Sequence, residues 1–386
     1  MIGRHVPLLL AAAVMAAVAQ QTATPHHNTY SSKGLWTGGP PRVSPEIHPD
    51  RRLTFTLSAP NARQVSLLFG EWEVKPQPMS KDDKGVWSIT IGPVEPEIYQ
   101  YLFNVDGVRT LDMANPNVKA GTSIYGNTVD VPGTPPRYDQ VQAVPHGAIE
   151  VLQYVSTPLK RPRSVYVYLP PSYDADRTRR FPVLYLRHGG GDSEASWSAD
   201  GRSGVILDNL LAKGKAVPML IVMPNGMTDG SWAGGSSPEA MDALGKEMFE
   251  DVIPVIEKTY RVAPGRENRG ITGLSMGGGQ AFTIGLKNLD KFAWVGEFSA
   301  GILSGVELDL DALVPGVLKD ASVNRKLRLF WIGCGTDDVR YNGHLDMVDQ
   351  LKSRGIHIEF HSTPGGHEWK VWRHQLAEML PMLFTN

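Results

Sequence analysis

The 386 residues carry 38 Lys and Arg against 40 Asp and Glu, a net charge of −2, with 41% hydrophobic and 20% charged residues. So even a balance leaves no electrostatic footprint for nucleic acid, and the composition is that of a folded chain rather than a disordered one. The length exceeds one domain of roughly 100–200 residues and predicts two, while a single cysteine, Cys334, excludes an internal disulfide framework.

The chain opens on "MIGRHVPLLLAAAVMAAVAQQ", with Arg4, an apolar run over residues 6–18, and Ala17 and Ala19 before Gln20. This is the layout of a secretory signal peptide, residues 1–19, cleaved after Ala19. The apolar run, about 13 residues, falls short of the 20 or so that a spanning helix needs. The expectation is export to the periplasm or the outside, with no stable membrane insertion after cleavage. Residues 20–43 are rich in Pro, Gly, Ser, Thr and His and read as an extended leader.

From 44 to 131 the texture changes. "LTFTLSAP", "QVSLLFG", "GVWSITIG" and "YQYLFNVDGV" alternate with period two and are separated by Gly, Pro, Asp and Asn, as in a small all-β, immunoglobulin-like sandwich. Trp36, Trp72 and Trp87 could stack on sugar rings, but a tryptophan on an alternating strand, as Trp87 is, belongs in the sandwich core. Residues 132–147 are rich in proline and form a stiff linker. Between 148 and 386 apolar strands alternate with helical stretches: "IEVLQYVS", "SVYVYLP", "FPVLYLR" and "PMLIVMPNG", then "EAMDALGKEMFEDVIPVIEKTY" as one helix, then "RGITG", "GGGQAFTIGLKNL", "WVGEFSAG", "LRLFWIG", "IHIEFH" and a last helix "WKVWRHQLAEMLPMLF". The fold class is therefore α/β, a mainly parallel sheet with helices on both faces, preceded by the sandwich.

"GITGLSMGGG" lies where a strand turns into a helix and contains G-x-S-x-G as Gly273, Leu274, Ser275, Met276 and Gly277. At such an elbow the serine occupies a strained turn that exposes its hydroxyl at a helix start, and flanking side chains would collide with backbone. A hydroxyl is a poor nucleophile without a base, and the base needs an orienting acid. In this type of fold the order is serine, acid, histidine. "CGTDD" after the strand "LRLFWIG" offers Asp337 and Asp338, and "STPGGHEW" after "IHIEFH" offers His367. Upstream, His188-Gly189-Gly190-Gly191 follows a strand directly and can lend a backbone N–H to an oxyanion hole.

The remaining candidates read more plainly. Cys334 follows an apolar strand and is a small buried residue. His357, His361, His374, His26 and His27 are surface or packed histidines. No H-E-x-x-H or C-x-x-C spacing occurs, so no metal and no other cofactor is expected. Trp232 in "DGSWAGG" and Trp369 beside His367 fall in or next to loops and are candidates for lining a substrate pocket.

"FPVLYLRHGGGDSEASW", "VMPNG", "FEDVIPVIEKTYRV", "NRGITGLSMGGGQA", "FWIGCGTDD" and "GGHEWKVWR" resemble the esterase-D-type α/β-hydrolases of the carbohydrate esterase family that includes feruloyl and acetyl-xylan esterases. The resemblance covers about 146–386. Residues 50–118 are similar to the early-set, glycogen-binding-type modules that precede some of these enzymes. The resemblance implies that Ser275 is the nucleophile, His367 the base and Asp338 the acid, with the backbone N–H groups of Gly190 and Met276 as the oxyanion hole. It also implies a polysaccharide-linked or small aromatic ester as substrate. Siderophore-ester (enterochelin-type) hydrolysis and a non-catalytic carbohydrate-binding role are the alternatives.

Overall fold

In a computed structural model of the chain, residues 44–71, 74–301, 305 and 308–385 are described; the expected signal peptide and leader, with Trp36, and Trp72 lie outside the described residues. The described residues, from 44 onward, make one compact unit.

Among the described residues the strands form three sheets. The first is antiparallel, built from β1 (Glu46–Ile47), β2 (Leu53–Ser58), β5 (Ser80–Lys81) and β6 (Val86–Ile91) in the order β1-β2-β6-β5. The second contains β3 (Val65–Phe69), β4 (Gln77–Pro78), β7 (Ile98–Val105), β9 (Val118–Ala120) and β10 (Ile124–Asp130) in the order β4-β3-β7-β10-β9, with β8 (Val108–Thr110) also on β7. Leu53 and Phe55 of β2 turn inward and Thr54 and Thr56 outward, as a half-buried strand requires. They meet Leu67, Trp87, Tyr101 and Phe103 in one core. Phe55 and Tyr101 pack edge to face at 4.7 Å across it. Trp87 fills this core, its indole N–H donating to the Ala59 carbonyl at 2.9 Å.

Residues 131–147 carry no strand or helix, yet they are pinned: Arg137 donates to Asp139 at 2.8 Å and to Asp130 at 3.0 Å, and Asn209 donates to the Tyr138 and Gln140 carbonyls. The third sheet runs β11 (Ala148–Ser156), β12 (Arg161–Leu169), β14 (Leu220–Pro224), β13 (Val183–Arg187), β15 (Arg269–Gly273), β16 (Trp294–Phe298), β17 (Leu329–Gly335) and β18 (Glu359–Thr363) in that spatial order. The β11–β12 and β12–β14 pairs are antiparallel and the others parallel. Its helices are α1 (Ser196–Ala199), α2 (Ser203–Ala212), α3 (Pro238–Glu247), α4 (Ile253–Thr259), α5 (Ser275–Lys287), α6 (Leu310–Leu313), α7 (Tyr341–Ser353) and α8 (Trp369–Met379).

Successive residues of β13 enter different cores. Val183 and Tyr185 pack with Leu244, Ile256, Phe282 and Leu351 on one face; Leu184 and Leu186 pack with Ile206, Trp372 and Leu376 on the other. At roughly 1.5–3 kcal/mol for each large apolar side chain buried, such a strand is far more stable in the middle of a covered sheet than at an edge. The fold is thus an α/β-hydrolase sheet preceded by a β-sandwich.

Two expected helices differ: the last, expected over 369–384, runs as α8 only to Met379 and tightens into a 3-10 turn over Leu380–Met382, which contains Pro381. The stretch 239–260 is not a single regular helix but α3, a π-helical turn over Met248–Val252, and α4. Pro254 is the physical reason: it has no N–H to give, and its ring would strike the carbonyl four residues back in a regular helix, so the turn ahead of it widens.

Candidate active site

Ser275 is the first residue of α5, directly after the β15 strand and Leu274, and its φ is +51°. A non-glycine residue there stores on the order of 1–3 kcal/mol of strain. The flanking glycines are needed for close approach rather than flexibility. A Cβ on Gly273 would lie 2.6 Å from the Arg187 carbonyl oxygen, and one on Gly277 would overlap the His188 oxygen and sit 2.6 Å from that of Arg187. The elbow therefore presses against the end of β13. Ser275 is more enclosed than an exposed elbow serine, at 7% exposure, because the loop after β13 and the His367 loop close over it.

His367 stands in the loop between β18 and α8. Its Nε2 is 2.9 Å from the Ser275 Oγ and its Nδ1 is 2.6 Å from the Asp338 Oδ2. The Trp372 ring meets the imidazole edge-on at 4.8 Å. Asp338 sits three residues past β17, which runs through Gly333 to Gly335. Its other oxygen accepts the Arg340 N–H at 3.0 Å, with the Arg340 guanidinium at 3.4 Å. Burial opposes ionisation of Asp338, but the hydrogen bond and charge of His367 and the Arg340 contacts outweigh it and hold the carboxyl at about 2. Asp337 is exposed and gives only its backbone, its N–H donating to Gly365 at 2.9 Å.

The loop after β13 is the third component. His188 is buried; its Nε2 accepts the Gly226 N–H at 2.8 Å, so its proton is on Nδ1, which donates to the Gly189 carbonyl at 2.9 Å. Burial pushes this imidazole down, keeping it neutral. Gly189 approaches the elbow so closely that an added Cβ would lie 3.4 Å from the Ser275 Cβ. The Gly191 N–H donates to the Trp232 carbonyl at 2.8 Å. Neither the Gly190 nor the Met276 N–H has an acceptor among the described residues.

A cavity of about 480 Å³ opens beside Gly190 and is lined by Trp232, Tyr125, Arg109, Lys119 and Trp372 among others. Trp232 is 52% exposed there. Trp369 reaches the same cavity, but its ring is largely a core group, 5.1 Å from the Trp197 ring centroid and under the Lys119 ammonium. Sequence reasoning missed Arg109, Lys119, Tyr125 and Trp372. The first three come from the sandwich, so only long-range docking, which leaves no local signal, brings them to this site. Cys334 is buried, as expected, and His361 stacks on Trp331 at 3.7 Å. No group of three or more His, Cys, Asp and Glu among the described residues could hold a metal ion.

A family model described as "Putative esterase" matches residues 156–383, and one described as "Carbohydrate-binding module 48 (Isoamylase N-terminal domain)" matches residues 43–117. An endo-1,4-beta-xylanase/feruloyl esterase of Xylanibacter ruminicola is 29% identical over 351 residues, which are 89% of this chain and 46% of that protein; the chain spans less than half the length of this relative. A ferulic acid esterase of the anaerobic fungus Anaeromyces mucronatus, also solved in complex with ferulic acid, superposes with a TM-score of 0.54 at 25% identity over 64% of this chain and 94% of its own. The enterobactin esterase of Shigella flexneri shares the fold over 86% of this chain and 92% of its own, with a TM-score of 0.62 at 16% identity.

Proposed function

The chain belongs to the putative-esterase family, and from that premise we propose that it is an exported serine carboxylic-ester hydrolase that removes feruloyl or acetyl groups from xylan-type plant polysaccharide. The observation that carries this reading is the hydrogen-bonded series Asp338–His367–Ser275, ending on a strained serine, with Gly190 and Trp372, which packs on His367, lining a cavity with aromatic walls.

In this reading the Ser275 Oγ attacks the ester carbonyl while the His367 Nε2 takes its proton. The oxygen of the tetrahedral intermediate is met by the N–H groups of Gly190 and Met276, the latter at the positive end of α5. His367 then gives that proton to the departing sugar oxygen, which leaves as a hydroxyl, and an acyl group remains on Ser275. Water then attacks the acyl carbonyl as His367 takes its proton, and His367 returns that proton to the Ser275 Oγ as the C–O bond to serine breaks and the acid leaves. Asp338, ionised throughout, keeps the imidazole in the tautomer that can accept from Ser275. Trp232 offers a flat apolar wall to an aromatic acyl group, and Trp369 lines the same cavity.

The choice of acyl group rests on the relatives: one is named a xylanase and feruloyl esterase, another a ferulic acid esterase solved with ferulic acid. We read residues 44–131 as the sandwich module, 132–147 as its linker and 148–386 as the catalytic part, with residues 1–19 directing export. No helix among the described residues is long and apolar enough to cross a membrane. The test is an assay of the purified protein on methyl ferulate, acetylated xylan and a siderophore tri-ester. Release of ferulate or acetate is expected; turnover of the siderophore ester alone overturns the substrate class.

A further inference from the structure

We propose that the β9–β10 hairpin of the sandwich is a positioning element of the ester-cleaving site: Thr122 and Tyr125 hold the carbonyl of Gly191 and thereby fix the loop that presents the Gly190 N–H. The inference rests on the serine-esterase reading above.

The contacts converge on one atom. The Gly191 oxygen lies 2.8 Å from the Thr122 N–H, 3.2 Å from the Thr122 Oγ1 and 3.1 Å from the Tyr125 hydroxyl. The two hydroxyls are 2.8 Å apart, so one can donate to the other while that one donates to the carbonyl. On the opposite side of the same residue the Gly191 N–H is held by the Trp232 carbonyl. Both peptide planes flanking Gly191 are therefore clamped, one by the catalytic part and one by the sandwich. Lys119 of β9 adds a second anchor: its ammonium is 2.8 Å from the Asp192 carboxylate and 3.3 Å from that of Asp200, with all three side chains largely buried. Burial opposes the charge on Lys119, but these two carboxylates raise its pKa. The approach is tight, since a Cβ on Gly121 would overlap the Gly191 oxygen and lie 3.0 Å from the Asp192 Cα.

An oxyanion donor acts only where the developing charge will be, and removing one such donor elsewhere lowers kcat by about 10²–10³. A loop held on one side only would meet the transition state less well, even with every residue of the catalytic part in place. A module matched as carbohydrate-binding would then be needed for the chemistry on substrates too small to touch it.

The test uses the full chain with p-nitrophenyl acetate and with phenylboronic acid, which forms a tetrahedral adduct on an active serine. Gly121→Ala wedges the hairpin off the loop, while Tyr125→Phe combined with Thr122→Val removes both hydroxyls and adds no bulk. We expect kcat to fall roughly tenfold to hundredfold for Gly121→Ala, on the scale of an ångström's misplacement, and several-fold for the double variant. KM should change less, and boronate affinity should weaken in step with kcat. A purely structural contact would lower the melting temperature while leaving kcat per active site and boronate affinity alone. Lys84→Ala, at an exposed position in the turn between β5 and β6, should leave both unchanged. If Ser275→Ala is inactive but both hairpin variants keep wild-type kcat and boronate affinity, the inference is overturned and the esterase reading stands. If Ser275→Ala stays active, both fall. Should Gly121→Ala not fold, the double variant decides alone.

Discussion

The Asp338 carboxylate lies 2.6 Å from the His367 Nδ1, whereas Asp337, its immediate neighbour, turns its side chain to solvent and binds the same loop only through its N–H. Asparagine at position 338 would favour the wrong imidazole tautomer. Asp338→Asn should therefore lower kcat about ten-thousandfold, as in serine proteases, and Asp337→Asn should stay within a few-fold. Measuring the two side by side on one ester checks this; the reverse pattern assigns the acid to Asp337.

The pH profile follows from the same contact. Burial of Asp338 is outweighed by His367 and Arg340, so its folded value of about 2 is below the unfolded value of roughly 3.9. The sign is that of a depressed carboxylate: its ionised form stabilises the fold above about pH 4, and that contribution disappears as pH falls through about 2. Over an assay range of about pH 4–9 Asp338 stays charged; the groups left to shape the acid limb are the catalytic base and Glu71 at the cavity wall, whose carboxyl burial pushes up to about 7 against the opposing charges of Arg373 and Lys119. The logarithm of kcat/KM should fall with a slope of one per pH unit. A slope of two that Glu71→Gln does not reduce to one would show the aspartate titrating with it, against its depressed value.

A second buried pair predicts a pH dependence of stability. The His344 Nε2 is 3.2 Å from the Glu297 Oε1 with both side chains fully buried, and its Nδ1 donates to the Arg340 carbonyl at 2.8 Å. Burial opposes the charge on His344, but the Glu297 carboxylate and the contact with Cys334 raise it to about 11. A raised histidine contributes stability that is complete below its unfolded value of about 6.5 and is lost as pH climbs toward the folded one. Unfolding free energy from urea melts should fall between pH 7 and 10 with a slope up to about 1.4 kcal/mol per pH unit, relative to a variant carrying both His344→Gln and Glu297→Gln. Parallel curves for the two proteins would contradict the ion pair.

Two glycines of α5 should behave oppositely. Gly277→Ala drives a methyl into the Arg187 and His188 carbonyls and should cut activity at least tenfold or lower the melting temperature by several degrees. Gly279 has open space where its Cβ would be, so Gly279→Ala should be neutral or stabilise by up to about 1 kcal/mol through helix propensity. Thermal melts with kcat on the same preparations check both. Equal effects would mean that close approach is not why Gly277 is there.

Much of this molecule is legible in its sequence because the informative features are local. Alternation marks β2, β3, β6 and β7, since one face of each is buried. The serine elbow, the acid turn and the histidine loop each announce themselves through glycines and polar residues just past an apolar strand. Strands β9 and β10 escape such reading because Gly126 and the buried Asn127 stand where apolar residues would alternate; Asn127 exchanges hydrogen bonds with the backbone of Asp112 and also donates to that of Asn115. The walls of the cavity escape for another reason. Lys119 and Asp192 are 73 residues apart, and no periodicity or motif connects a sandwich hairpin to a loop of another sheet.

The central claim is that Ser275 carries the acyl group, and the most direct measurement is kcat of Ser275→Ala on methyl ferulate, with the melting temperature taken on the same sample. Alanine fits the elbow and removes only the hydroxyl. The proposal predicts a loss of several orders of magnitude, approaching the roughly millionfold effect of such a serine in subtilisin, with a melting temperature close to that of the parent. A folded variant within about tenfold of parental activity, against that millionfold expectation, would contradict it.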